Sequence, residues 1–96
     1  MEVKLYQVSY SSYDSSDDYL YNSLSSPTTS LDEALAEYEQ EKVIAKNSAV
    51  EEIEDEGQSY DDLDITEVDN TFTLNYNRNG ADVKTEIALY VWEIEV

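Results

Sequence analysis

In the C-terminal third of the chain apolar and polar residues follow the two-residue period of a strand, and a stretch before it follows the period of a helix. Val3, Leu5, Tyr6, Val8 and Tyr10, uninterrupted by Gly or Pro, predict a strand over Met1–Tyr10. At the other end, Asn79-Gly80 is a strong hairpin signal, because both central positions of a type I′ turn need positive φ. With Arg78 facing Ala81 across that turn, Tyr76 pairs with Val83, Leu74 with Thr85 and Phe72 with Ile87, while Asn75–Lys84 and Thr73–Glu86 fall on the other face. A second turn at Asp69-Asn70 places Ile65 beside Leu74 and Leu63 beside Tyr76. Three antiparallel strands follow, near 62–69, 71–77 and 82–96. Beyond about Ala88 the last strand outruns its partner and is expected to pair with the first strand. Its apolar residues there lie on both parities, which suggests a bulge or a strand covered on both faces.

The helical stretch begins at Ser30-Leu31-Asp32-Glu33, which fits a capping box. Leu31, Ala34, Leu35, Tyr38, Ala45, Ala49 and Ile53 recur at helical spacing and leave Glu33, Glu37, Glu39, Glu41 and Glu51 largely to solvent. Lys42 interrupts the stripe, and its methylene stem can lie along it. Ser48-Ala49-Val50-Glu51 is a second possible capping box, so one long helix and a helix broken near Asn47 both fit; Gly57 ends either. Between the first strand and the helix, residues 11–29 are rich in Ser, Tyr and Asp. They read as a long loop with room for a short element around Tyr19–Leu24. The expected fold is α+β: a single small domain over residues 1–96, with a three- to four-stranded antiparallel sheet in β-α-β-β-β order and one long or broken helix on one face.

Composition narrows the function. Of 96 residues, 23 are Asp or Glu and 5 are Lys or Arg, with neither Cys nor His. No disulfide, thiolate zinc site, thiol nucleophile or imidazole base is available. A net charge of -18 opposes direct binding to nucleic acid or to anionic membranes, and no apolar run is long enough to span a bilayer. High charge with low hydropathy is also the signature of disorder, but 41% hydrophobic residues and the patterned C-terminal third argue for a folded chain.

The acids are densest over Glu51–Asp69, which has no basic residue. Glu51, Glu52, Glu54, Asp55 and Glu56 stand at or near a helix C-terminus, where the macrodipole disfavours negative charge. Charge placed against the interest of the fold points to a partner. No carboxylate pair is set apart for acid–base catalysis. Asp61-Asp62-Leu63-Asp64 and Asp14-Ser15-Ser16-Asp17-Asp18 lack the central Gly and the final Glu of a calcium loop. The sequence therefore assigns no enzymatic activity, metal or cofactor. Tyr6, Tyr38, Tyr76, Tyr90 and Trp92 read as core; Tyr10, Tyr13, Tyr19, Tyr21 and Tyr60 lie among acids and serines, as loop packing or as interface.

In size, acidity, lack of Cys and His, and the carboxylates of Glu51–Asp69 with Asp14, Asp17 and Asp18, the chain resembles the small DNA-mimic inhibitors of phages, the anti-CRISPR and anti-restriction proteins. That resemblance implies that carboxylates stand in for phosphates and occupy the basic nucleic-acid channel of a host defence protein in the host cytoplasm. The implied partner is a CRISPR effector or a restriction enzyme, the former favoured by small size, and the inhibitor is a monomer or homodimer. The expected contact residues are Glu51, Glu52, Glu54, Asp55, Glu56, Tyr60, Asp61, Asp62 and Asp64, with Asp14, Asp17 and Asp18. A compact chain of this length has a radius of gyration of about 12–13 Å and a diameter of roughly 32 Å, a length over which duplex DNA carries about 19 charges. The competing reading is an acidic interaction module, as in a high-salt organism, with no inhibitory role.

Overall fold

The computed structural model describes residues 1–15, 19–55, 57, 63–78 and 80–95. Its elements run β1 (Glu2–Asp14), β2 (Tyr19–Leu24), α1 (Leu31–Asp55), β3 (Asp64–Val68), β4 (Thr71–Arg78) and β5 (Ala81–Glu95). The five strands form one antiparallel sheet in the order β2-β1-β5-β4-β3. The class is α+β, as the patterning predicts. The strand count is five rather than three or four, and the order is ββαβββ rather than β-α-β-β-β.

The extra strand comes from the segment read as a loop. Instead of ending at Tyr10, β1 continues to Asp14, and the chain returns as β2 with Ser12 opposite Tyr21 and Asp14 opposite Tyr19. Ser and Asp are poor strand formers in isolation. Here β1 pairs with β5 without interruption from Glu2↔Glu95 to Asp14↔Val83, and a ladder bonded along its whole length overrides local preference. Ser15 fixes the far end: its N–H donates to the Asp82 carbonyl at 3.0 Å, and its Oγ accepts from the Asp82 N–H at 2.8 Å.

The hairpin register matches the parity argument. Arg78 faces Ala81, Tyr76 faces Val83 and Phe72 faces Ile87, and Ile65 lies beside Leu74. Asp69 and Asn70 hold φ of 47° and 63°, as a type I′ turn requires, and Gly80 holds 86°. Asn79 lies outside the described residues. The continuous register of β5 with both neighbours excludes the expected bulge. Nor is the end of β5 covered on both faces: Tyr90, Val91, Trp92 and Ile94 are exposed, so Tyr90 and Trp92 are not the core residues that their composition suggests.

One helix, unbroken at Asn47, lies across one face of the sheet. Ser30 Oγ caps it by accepting from the Glu33 N–H at 3.2 Å. The return half of the box runs through Thr28, whose Oγ1 accepts from the Ser30 N–H and donates to Glu33 Oε2, both at 3.1 Å. Gly57, at φ 67°, closes the other end by donating its N–H to the Glu54 carbonyl at 3.1 Å. The buried stripe is narrow and built of small residues, Ala34, Tyr38, Ala45, Ala49 and Ile53; Leu31 and Leu35 are exposed. Opposite it lie Val8, Phe72, Leu74, Tyr76, Val83, Ile87 and Leu89, so the core is a single layer between helix and sheet.

Lys42 occupies the stripe position between Tyr38 and Ala45 and ties the helix to the far edge of the sheet. Its Nζ lies 2.7 Å from Glu67 on β3 and 2.9 Å from Glu39, and 4.8 Å from the centre of the Tyr38 ring. The Tyr38 hydroxyl donates to the same Glu67 oxygen at 2.7 Å. Burial, and then the bond to Glu67, pushes the Tyr38 hydroxyl well above its ordinary range. Burial alone pulls the Lys42 ammonium down, but its bonds to Glu67 and Glu39 outweigh this and the net shift is upward. The hydrogen bond from Lys42, followed by that from Tyr38, holds Glu67 below the ordinary carboxylate value of 4.5. A carboxylate lowered in the folded state contributes stability that is complete above its unfolded value and is lost as pH falls through the lower, folded one. Glu67→Gln is therefore expected to unfold at a lower temperature than the wild type at neutral pH, and the gap is expected to close below about pH 4. Thermal unfolding of both chains across that range checks this; a gap that ignores pH contradicts it.

Candidate partner-binding surface

The sequence places its densest acids at one end of the helix, and the structure adds a second group in its N-terminal half. Helix α1 carries Asp32, Glu33, Glu37, Glu39, Glu41, Glu51, Glu52, Glu54 and Asp55 against Lys42 and Lys46, and its last turn holds no basic residue. With Lys42 already bonded to Glu39 and Glu67, Lys46 is the other cation on this rod. At 1.5 Å per residue a helix of 25 residues is about 37 Å long.

Of the expected contact residues, Glu51, Glu54 and Asp55 are exposed in the last two turns of α1. Glu52 is half-buried on the sheet-facing side, where its carboxylate accepts a hydrogen bond from the Tyr76 hydroxyl. Asp14 ends β1 on the same side. Together with Ser12, Ser48, Tyr10 and Tyr76, Asp14 and Glu52 line a cleft of about 270 Å³ between the C-terminal half of the helix and the sheet. Asp64 is exposed, but β3 alternates: Glu67 reaches the helix, so Asp64 faces the other side of the sheet and does not join the cleft. Glu56, Tyr60, Asp61, Asp62, Asp17 and Asp18 lie outside the described residues.

A second cleft, of about 290 Å³, opens between the N-terminal half of the helix and β2. Glu37, Glu41 and Ile44 form its helix wall, and Tyr10, Tyr21, Ser23 and Ser25 its sheet wall. The Tyr10 and Tyr21 rings meet edge to face with centroids 6.0 Å apart. Tyr10 borders both clefts, so carboxylates and phenol rings line one side of the helix for most of its length. Sequence reasoning leaves Glu37 and Glu41 to solvent and counts neither as contact residues. The available signal is the i, i+4 repeat Glu33, Glu37, Glu41, which sets carboxylates about 6 Å apart along the helix axis.

Carboxylate beside aromatic ring is the setting that holds Lys42 inside the fold, and the clefts are lined by the same pair of groups. Among the described residues no group of three or more acids is placed to hold a metal ion, and no helix is long and apolar enough to cross a membrane. Comparison with known protein families, with curated proteins and with solved structures finds no match to the chain.

The molecule is longer than a compact chain, with a radius of gyration of 15.5 Å and extents of 54 × 24 × 19 Å. Eighteen net charges over 54 Å is about one per 3 Å, close to the 3.4 Å of a single nucleic-acid strand rather than the 1.7 Å of a duplex.

Two measurements follow from this surface. Tyr76→Phe, which leaves the half-buried Glu52 without its hydroxyl donor, is expected to lower stability by about 1–2 kcal/mol in denaturant unfolding; no change would mean that solvent serves Glu52 equally well. Self-repulsion of unneutralised carboxylates predicts a chain that folds in dilute buffer and gains thermal stability as salt shortens the Debye length from about 30 Å at 0.01 M to 8 Å at 0.15 M. Circular dichroism melts across that series check it, and a need for molar salt to fold at all would point to a halophilic protein instead.

Proposed function

We propose that the protein is a nucleic-acid mimic that occupies the basic DNA- or RNA-binding surface of a host defence protein in the host cytoplasm, a CRISPR effector in preference to a restriction enzyme. The observation that carries this reading is the acidic helix: nine carboxylates on one rigid rod about 37 Å long, crowded at the end where the macrodipole opposes them. The macrodipole works against that placement, whereas a groove lined with Arg and Lys gains a great deal from it. Such a groove is already arranged for a line of negative charge, and carboxylates meet guanidinium groups two bonds at a time. Glu51, Glu54 and Asp55 at the helix end form the centre of the surface. Glu37 and Glu41 with Tyr10 and Tyr21 extend it, the rings supplying contact area and cation–π faces beside the charges. The preference for a CRISPR effector over a restriction enzyme rests on the small size of the chain.

The test is competition. Purified CRISPR effectors and restriction enzymes, each holding a fluorescent nucleic acid, are titrated with the protein and displacement is read as loss of polarisation. Displacement from a member of the panel is expected, weakening steeply as salt rises. Reversing Glu37, Glu51, Glu54 and Asp55 to Lys is expected to weaken displacement at least 100-fold, with the circular dichroism spectrum unchanged. Inhibition that survives this variant would mean that the surface lies elsewhere, and failure to displace nucleic acid from any member would refute the mimic.

A further inference from the structure

Past Ala88, β5 loses β4 as a neighbour and runs on beside β1 as a two-stranded ribbon about 20 Å long. The two faces of the ribbon differ. Val3, Leu5, Tyr90, Trp92 and Ile94 share the face turned away from the helix, and Trp92 is 51% and Tyr90 44% exposed. The Tyr90 and Trp92 rings lie 6.2 Å apart, and the indole N–H donates to Gln7 Oε1 at 3.1 Å, so the patch is ordered. One edge is open as well. The Leu89 N–H donates to the Asn70 carbonyl at 2.9 Å, on the side where β4 begins. By the two-residue period Val91, Glu93 and Glu95 aim their N–H and C=O groups the same way, and among the described residues no strand pairs with them there. An apolar face beside an unpaired edge is a site for another strand.

We propose that a second copy of this chain occupies it, joined antiparallel through β5 about a twofold axis at Trp92. Charge selects this occupant. The ribbon carries Glu2, Lys4, Glu93 and Glu95, a net charge of -2 with Lys4 directly opposite Glu93, and the rest of the chain carries -16. A basic partner is drawn to the helix; the ribbon face of Val3, Leu5, Tyr90, Trp92 and Ile94 carries no charge, since Glu2, Lys4, Glu93 and Glu95 lie on the opposite face, and there two such acidic chains can meet. Joined there, the two molecules, each 54 Å long, extend in opposite directions from the axis.

The register follows from the same facts. An axis at Trp92 sets Trp92 against the partner's Trp92 and Tyr90 against the partner's Ile94, all on the apolar face, and Val91 against the partner's Glu93. An axis at Glu93 would set like carboxylates directly opposite, which is unfavourable. Pairing of the edges brings the exposed Tyr90, Trp92 and Ile94 of the two copies side by side and adds main chain and the stem of Glu93 to the contact.

Sedimentation equilibrium of the full chain at about 300 µM in 0.15 M salt is expected to give twice the 11.0 kDa monomer mass, with more dimer as salt rises, the opposite of the salt response of a partner bound through the acidic helix. Trp92→Arg and Trp92→Glu each set like charges face to face at an exposed position, and each is expected to be monomeric with an unchanged circular dichroism spectrum. Mixed in equal amounts they are expected to recover the dimer, which only an axis at Trp92 produces. Glu93→Pro removes an N–H from the open edge and none from the β1 ladder, and is expected to weaken the dimer at least tenfold. A wild-type chain that stays at monomer mass, or a dimer that Trp92→Arg leaves intact, overturns the proposal; a mixture that stays monomeric overturns the register.

Discussion

Repulsion among carboxylates is the condition that every other feature of this fold has to meet. Twenty-three acids share 96 residues with five bases, and a spherical arrangement would set most of them within a Debye length of many others. The chain instead takes a long form and ranges acids along the outer side of one helix. It also uses one base where it has most effect. Lys42 sits inside the helix–sheet contact, 15% exposed, and satisfies Glu39 and Glu67 while covering the faces of Tyr38 and Phe72. The Ala-rich stripe is the complement of this design: small residues let the helix lie close to the sheet, so a thin core can hold it.

How much of this could be read in advance depends on where the determining contacts lie in the sequence. The β4–β5 hairpin was legible pair by pair because its register follows from a local turn and from side-chain parity, both visible in adjacent residues. The helix start at Ser30 was legible for the same reason, although its cap recruits Thr28, which no capping box specifies. The extension of β1 through Ser11, Ser12 and Tyr13 was not, because those residues lie between β2 and β5, and the second of these ladders brings Glu86, Thr85 and Lys84 from far along the sequence. Trp92 was misplaced by a related assumption, that a large apolar side chain in a strand must be covered by the same molecule.

The candidate surface was legible in part. Local density singled out Glu51, Glu52, Glu54 and Asp55, and their helix-end position was readable from Gly57. Density could not separate Glu52, which turns inward to Tyr76, from Glu51 and Glu54, which turn outward. Nor could it group Glu37 and Glu41 with Tyr10 and Tyr21, since that cleft exists only once β2 has folded back beside β1. Acidity is a property of composition, whereas a groove that takes an Arg side chain needs walls from two elements.

The central seam of the sheet joins the first strand to the last, with Val3 beside Ile94 and Tyr10 beside Ile87. Contacts of such sequence separation form late, because closing a loop of this length costs chain entropy before any pairing offsets it. The β1–β2 and β3–β4–β5 hairpins are local and can assemble independently, but neither buries its apolar face until the seam closes over the helix. On the ribosome, the edge of β1 that takes β5 must therefore wait unpaired until β5 has been made. Over that interval the acids serve a purpose that precedes any partner, keeping half-made chains from one another.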